Sequence, residues 1–147
     1  MDAIELLKLD HERIKSLFRQ IRLETGSQQR ILLFANIRYD LENHTYIEET
    51  VFYPAFKKYP QFRNLLELSY EEHHAVKDLL SQITALVKAG EHFGDKLEEL
   101  IAHVDEHVEE EETEFFPRVR QVMKRSDREV LGRHMSAAKN EHTEEAA

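Results

Sequence analysis

Cysteine is absent from this chain of 147 residues. That removes disulfides, thiolate nucleophiles, iron–sulfur clusters and cysteine-bearing zinc sites from consideration. Proline and glycine are scarce, at three and four residues, so long segments run without a breaker, as helices joined by short loops require. Long apolar runs are missing too: the most continuous, Ile31 to Ile37, is interrupted by Asn36 and far too short to span a bilayer. The opening residues Met1-Asp2-Ala3-Ile4-Glu5 show neither the basic nor the apolar region of a signal peptide, and a cytoplasmic protein is the default expectation. Basic residues are outnumbered, 20 Lys and Arg against 29 Asp and Glu, for a net charge of −9. That balance works against a nucleic-acid partner, whose phosphates need a basic face. The length suits one domain with a real core.

What the chain has is nine histidines and apolar residues at helical spacing. Ile4, Leu7, His11, Ile14, Leu17/Phe18 and Ile21 form one face of a helix from about Asp2 to Glu24. Gly26 suits its C-terminal cap and Ser27 the next N-cap. A second stripe takes in Leu33, Ile37, Leu41, His44 and Ile47/Glu48, then Val51, Phe52 and Phe56, to about Lys58; Pro54 inside it should bend the helix or loosen its last turn. A third helix is expected from about Gln61 to Ala89, stopped by Gly90. The fourth starts near Gly94/Asp95 and carries Leu97, Leu100, His103/Val104, His107 and Glu111, fading near Lys124. Ser126 followed by Glu129 resembles a capping box for a short fifth helix to about Lys139, with Asn140 to Ala147 a frayed polar tail. The expected fold is all-α: an up-down-up-down antiparallel four-helix bundle with a short extra C-terminal helix. Residues 1–125 form the bundle, and residues 126–147 belong to the same domain.

The two halves repeat. His44-Thr45-Tyr46-Ile47-Glu48-Glu49-Thr50-Val51-Phe52-Tyr53-Pro54 aligns without a gap on His107-Val108-Glu109-Glu110-Glu111-Glu112-Thr113-Glu114-Phe115-Phe116-Pro117, and Asp10-His11 with Ile14, Lys15 and Leu17 aligns on Glu72-His73 with Val76, Lys77 and Leu79. A lone His-x-x-x-Glu is weak evidence in a chain this rich in both residues; its repetition in context is strong. Residues four apart on a helix are stacked neighbours, so each half offers one histidine from its first helix and a His–Glu pair from its second. A single histidine on an apolar stripe is more often an ordinary core residue. Six ionisable groups converging on one core would instead carry large desolvation costs without a metal. The set His11, His44, Glu48, His73, His107 and Glu111 therefore reads as metal ligands. Two carboxylates bridging two ions, with two imidazoles on each, leave coordination positions for a solvent bridge and an outside ligand such as O₂. Nitrogen and oxygen donors without sulfur suit iron or manganese, and also zinc.

With Glu-Glu and a downstream aromatic-Pro in both halves, the pattern His … His-x-x-x-Glu … His … His-x-x-x-Glu resembles the hemerythrin-like HHE cation-binding family, from about Ile4 to Val122. The resemblance implies a four-helix bundle with a non-haem pair of iron ions, oxo- or hydroxo-bridged, held by those six residues, with iron ahead of zinc or manganese. Two departures separate the chain from the oxygen-carrying hemerythrins. Their third helix carries His-x-x-x-His where this one has His73 followed by Lys77, and their fourth carries aspartate at five residues where this one has Glu111 at four. The iron-centre repair members carry an N-terminal cysteine-containing segment, and this sequence has no cysteine.

His103, one turn before His107 and aligned with Asp40, reads as a polar residue beside the site, with a fifth histidine ligand as the alternative. Alignment with His11 selects His73 over His74. Glu49 and Glu112 read as helix-surface charge, with acceptors behind the ligands as the alternative; Tyr70 reads as packing, with an approach to the site as the alternative; His92, His134 and His142 read as solvated. Phe18, Phe52 and Phe115 are candidates to line a channel. The expected function is a di-iron protein that binds O₂ or a related small molecule (NO, peroxide) for sensing, storage or stress protection. It is a ligand-binding protein rather than a dedicated enzyme, with no catalytic residue beyond the ligands and no nucleic-acid or membrane partner. The alternatives are a redox enzyme consuming peroxide or NO, an iron-handling protein, and a metal-stabilised interaction module.

Overall fold

The computed structural model describes residues 1–146, without the side chains of residues 145 and 146; the last residue of the expected polar tail, Ala147, lies outside the described residues. Six α-helices carry the fold: α1 (Ala3–Leu23), α2 (Ser27–Ile47), α3 (Arg63–Lys88), α4 (Gly94–Glu110), α5 (Phe116–Val122) and α6 (Arg125–Ala146). The first four form an antiparallel bundle, and no strand occurs among the described residues. Asp2 caps α1, its carboxylate accepting from the Glu5 amide at 2.9 Å, which satisfies a free donor of the first turn. Gly90 ends α3 with a φ of 71°, a left-handed conformation that glycine adopts without a side-chain clash. Gly26 does not cap α1 as expected. The chain leaves α1 through extended backbone at Glu24, and Gly26, with ordinary negative φ, is instead the residue before α2.

Both prolines that follow the Glu-Glu motif reshape their helices in the same way. Proline lacks an N–H and its ring clashes with the carbonyl four residues back, so a regular helix cannot run through Pro54 or Pro117. In each half the turn widens just before the proline: Glu48–Phe52 and Glu111–Phe115 are π-turns. The Tyr53 amide donates to the Glu48 carbonyl and the Phe116 amide to the Glu111 carbonyl, five residues back. Each widened turn begins on a candidate ligand and allows two consecutive aromatics, Phe52–Tyr53 and Phe115–Phe116, to be buried together. A short 3₁₀ stretch, Tyr53–Phe56, and another, Pro60–Phe62, then lead into α3.

The core is divided along the bundle axis. At one end Ile4, Leu7, Ile47 and Leu66 pack on the aromatics Phe52, Tyr53, Phe56, Phe62, Phe115 and Phe116. At the other, Ile14, Ile21, Ile37, Leu41, Ile83 and Leu100 pack together. On every bundle helix the candidate ligand falls between the two clusters, as His11 does between Leu7 and Ile14. A fully buried Phe, Leu or Ile contributes about 1.5–3 kcal/mol, so the two apolar layers stabilise the polar layer they enclose.

The last helix is longer than its sequence suggested. Instead of ending near Lys139, α6 runs to Ala146 along α1 and α2. Its polar residues are helical because neighbours hold them: Lys139 reaches Asp10, and His142 reaches Asn43 and stacks on Tyr46. Tertiary contacts override weak local preference here. Because α6 covers α2 from outside, Asn43 and Thr45 are buried as well as His44, which faces the bundle interior.

Candidate metal centre

All six residues singled out from the repeat meet in the polar layer, each nearly or fully buried. They form two clusters that share Glu48. His11, His44, Glu48 and Glu111 make the first; Glu48, His73 and His107 make the second, and within each the donor atoms lie within 4.8 Å of one another. Glu48 Oε1 is 3.2 Å from His44 Nε2, 3.0 Å from His73 Nε2 and 3.7 Å from His107 Nε2. Glu111 likewise reaches both halves, Oε1 lying 3.0 Å from His11 Nε2 and Oε2 3.3 Å from His107 Nε2. His103 is not among them; it is exposed on α4. His74 is exposed beside Asp78.

Each imidazole is oriented from behind by a carboxylate. His44 Nδ1 donates to Asp10 (3.0 Å) and His107 Nδ1 to Glu72 (2.8 Å), the acid preceding the first-helix histidine of the same half. His11 Nδ1 donates to Glu112 (2.7 Å) and His73 Nδ1 to Glu49 (2.9 Å), the acid following the glutamate of the opposite half. Such contacts fix the tautomer, leave Nε2 as the free donor atom and raise its basicity. Glu49 and Glu112 are therefore part of the centre rather than surface charge. Lys77, standing where the oxygen carriers have histidine, holds Glu49 at 2.8 Å. His142 is not solvated either: it is half-buried, donating to Asn43 and stacked 3.9 Å over Tyr46. His92 and His134 are exposed, as expected.

Sequence reasoning missed Tyr53. It is fully buried, donates to Glu111 Oε2 at 2.6 Å, and places its oxygen 3.3 Å from both His73 Nε2 and His107 Nε2. The same place in the second half is Phe116, which stacks on His11 at 6.0 Å and brings no hydroxyl. The Tyr/Phe mismatch within a matched repeat was the available signal. Phe52 and Phe115 are sealed in the aromatic cluster. Phe18 lines a surface groove of about 480 Å³ between α1 and α4, with Lys15, Ile101, Val108 and Glu112.

The electrostatics match a site built for cations. Burial disfavours charge on His44, but Glu48 and Asp10 outweigh it and its pKa is pushed up to about 10. Burial likewise opposes protonation of His107, and Glu111, Glu48 and Glu72 raise its pKa well above the usual value. Burial pushes Glu48 toward its neutral form, yet the surrounding histidines hold its pKa well below the ordinary carboxylate range. Burial and the neighbouring Glu111 and Glu48 raise the Tyr53 pKa well above 10, so the phenol keeps its proton at neutral pH while only protein groups surround it.

Four buried atoms decide what the site fits. His11 Nε2, His44 Nε2, Glu48 Oε2 and Glu111 Oε1 make no aligned hydrogen bond, although His11 Nε2 stands 3.0 Å from Glu111 Oε1 and His44 Nε2 3.2 Å from Glu48 Oε1. Such buried polar groups cost free energy and call for an explanation; four of them, all in the first cluster, are a donor set that fits a cation. Two such clusters sharing a carboxylate, within a four-helix bundle, are capable of holding a pair of metal ions. The sequence matches the hemerythrin HHE cation binding domain over residues 2–119, and the chain belongs to that family. It is similar to the solved structure of a hemerythrin HHE cation binding domain-containing protein from Mycobacterium kansasii, with 28% identity, a TM-score of 0.85, and 99% of this chain and 90% of that one covered. It is also 29% identical over 140 residues to a protein of Nostoc sp. named DNA nickase, and 26% identical over 110 residues to an uncharacterised hemerythrin-like protein of Schizosaccharomyces pombe. These alignments take in 95% and 74% of this chain but only 40% and 54% of those proteins.

Proposed function

We propose that the six residues His11, His44, Glu48, His73, His107 and Glu111 hold two iron ions and that the protein binds O₂ or a related small molecule, NO or peroxide, in the cytoplasm, for sensing, storage or stress protection. The observation that carries this reading is the set of four buried donor atoms that converge without an aligned hydrogen bond, in a layer whose imidazoles are all oriented by carboxylates. Iron would supply reversible electron exchange with such ligands, which no side chain here can. The chain's own part is to hold four imidazoles with Nε2 free, to place two carboxylates between the halves, and to exclude bulk water with aromatic and aliphatic layers. Nitrogen and carboxylate donors without sulfur favour iron, with manganese and zinc next.

A second reading, consumption of peroxide or NO, is favoured by Tyr53, whose phenolic oxygen donates to Glu111 Oε2 at 2.6 Å on one side of the centre only. Nicking of DNA belongs to the Nostoc protein; here a net charge of −9 works against a phosphate backbone. Anaerobic purification with metal analysis, then exposure to O₂, NO and peroxide under absorption spectroscopy, tests the proposal. About two irons per chain and a ligand-dependent band support it, whereas stoichiometric zinc or no metal sinks it. Tyr53→Phe separates the two readings: binding without turnover survives that change, and consumption of peroxide or NO slows.

A further inference from the structure

The repeat makes the two halves of the centre equivalent, but α6 lies outside the repeat and packs mainly on the first half, along α1, α2 and the turn Glu48–Phe52. Asp10, which orients His44, is gripped by two cations: Arg13 at 2.5 Å and Lys139 of α6 at 2.9 Å, both on Oδ1, leaving Oδ2 to the imidazole. Arg13 also reaches Asp40 at 3.7 Å. Asp10 is 4% exposed and Lys139 half-buried, so the relay Lys139–Asp10–His44 runs through the protein interior. The counterpart of Asp10 is Glu72, which orients His107. The residue matching Arg13 there is Ala75, and the acid Glu110 lies against Glu72. One histidine of the centre is thus backed by a neutralised, doubly anchored carboxylate, the other by a carboxylate with another acid beside it.

We propose that Lys139 is a positioning residue of the metal centre: through Asp10 it fixes the His44 imidazole, so that the His11/His44 position depends on docked α6 while the His73/His107 position does not. This rests on the metal-binding reading above. Its physical basis is the sensitivity of metal affinity to groups that orient the ligands, about 10–100-fold for loss of one such contact. It makes the last helix, polar and outside the repeat, part of the site rather than a surface appendage.

Ferrous iron titrated anaerobically into the full chain tests the proposal, with uptake followed by calorimetry and metal analysis. The wild type is expected to take up two equivalents. Lys139→Met weakens one binding step about 10–100-fold and leaves the other unchanged, and Lys139→Arg restores it. In a His44→Ala background Lys139→Met adds no further loss, since the two act on one contact. Arg125→Ala loosens the opposite end of α6, where Arg125 holds Glu5 at 2.8 Å, and leaves both steps unchanged. Circular dichroism checks that the helices persist; should Lys139→Met unfold the chain, Lys139→Gln carries the same expectation. Equal weakening of both steps, no weakening, failure of arginine to rescue, or the same effect from Arg125→Ala each overturns the proposal. A wild type that binds two irons while Lys139→Met does so equally well overturns it alone; a wild type that binds none overturns the metal-binding reading with it.

Discussion

The carboxylate behind each imidazole is where single residues decide chemistry. A histidine whose Nδ1–H is committed to an acid presents Nε2 in one direction, and a proton and a metal ion then compete for that atom. His44 holds its proton up to a pKa of about 10, because Glu48 and Asp10 overcome the burial that opposes it. Iron loading at pH 7 is therefore expected to release protons, measured by calorimetry in buffers of different ionisation enthalpy; a heat independent of buffer would sink the expectation. The sign of the pH effect follows. In chelated protein the protonated His44 imidazole stabilises the fold fully below pH 6.5, and this contribution is lost as pH rises through about 10, whereas metal affinity rises over the same range as protons leave.

At the level of elements, two backbone devices place the site. The π-turns starting at Glu48 and Glu111 turn the next aromatics inward, and the prolines that follow prevent a regular helix from forming there. Pro54→Ala restores an N–H and allows the α-helical register, so Tyr53 is expected to leave Glu111. Iron content then falls while helix content holds; unchanged iron content and an unchanged Tyr53 environment would count against this account of the turn. The docking of α6 depends on Gly132, where a Cβ would come within 2.6 Å of the Met1 carbonyl oxygen and 3.0 Å of the Ala3 nitrogen. Helix propensity alone makes Gly→Ala stabilising by about 1 kcal/mol. Gly132→Ala is expected to destabilise instead, because the clash is with backbone at the start of α1. Thermal melting gives the sign, and a raised melting temperature would refute the close packing.

For the whole molecule, the polar layer between two apolar clusters links metal binding to stability. Free metal at a hundred times its dissociation constant adds about 2.7 kcal/mol, and a chain of this size shifts by about 2–4 °C per kcal/mol. Chelation is therefore expected to lower the melting temperature by about 5–10 °C, and calorimetric scans with and without chelator measure it. On acidification, metal should leave before the fold does: protons take the imidazoles first, while the stabilising carboxylates Glu48 and Glu111, with lowered pKa values, keep their contribution until pH falls through those values, below the ordinary 4.5. Simultaneous loss of metal and helix on titration would contradict that order. No helix among the described residues is long and apolar enough to cross a membrane.

The sequence alone determined the helical bundle, the duplication and the six residues that converge, because helical period and repeat are local and one-dimensional. His11, His44 and Glu48 lie on predictable faces whatever surrounds them. Which acid stands behind which imidazole was not legible: Glu112 reaches His11 across 101 positions and Glu49 reaches His73 from the other half, pairings set by how the helices are arranged. Tyr53 needed the π-turn, which no propensity marks, to face the centre. The length of α6 was hidden for the same reason. Its residues are polar and locally indifferent, and only contact with Asp10, Asn43 and Tyr46 makes the helix, and through Asp10 joins it to the site.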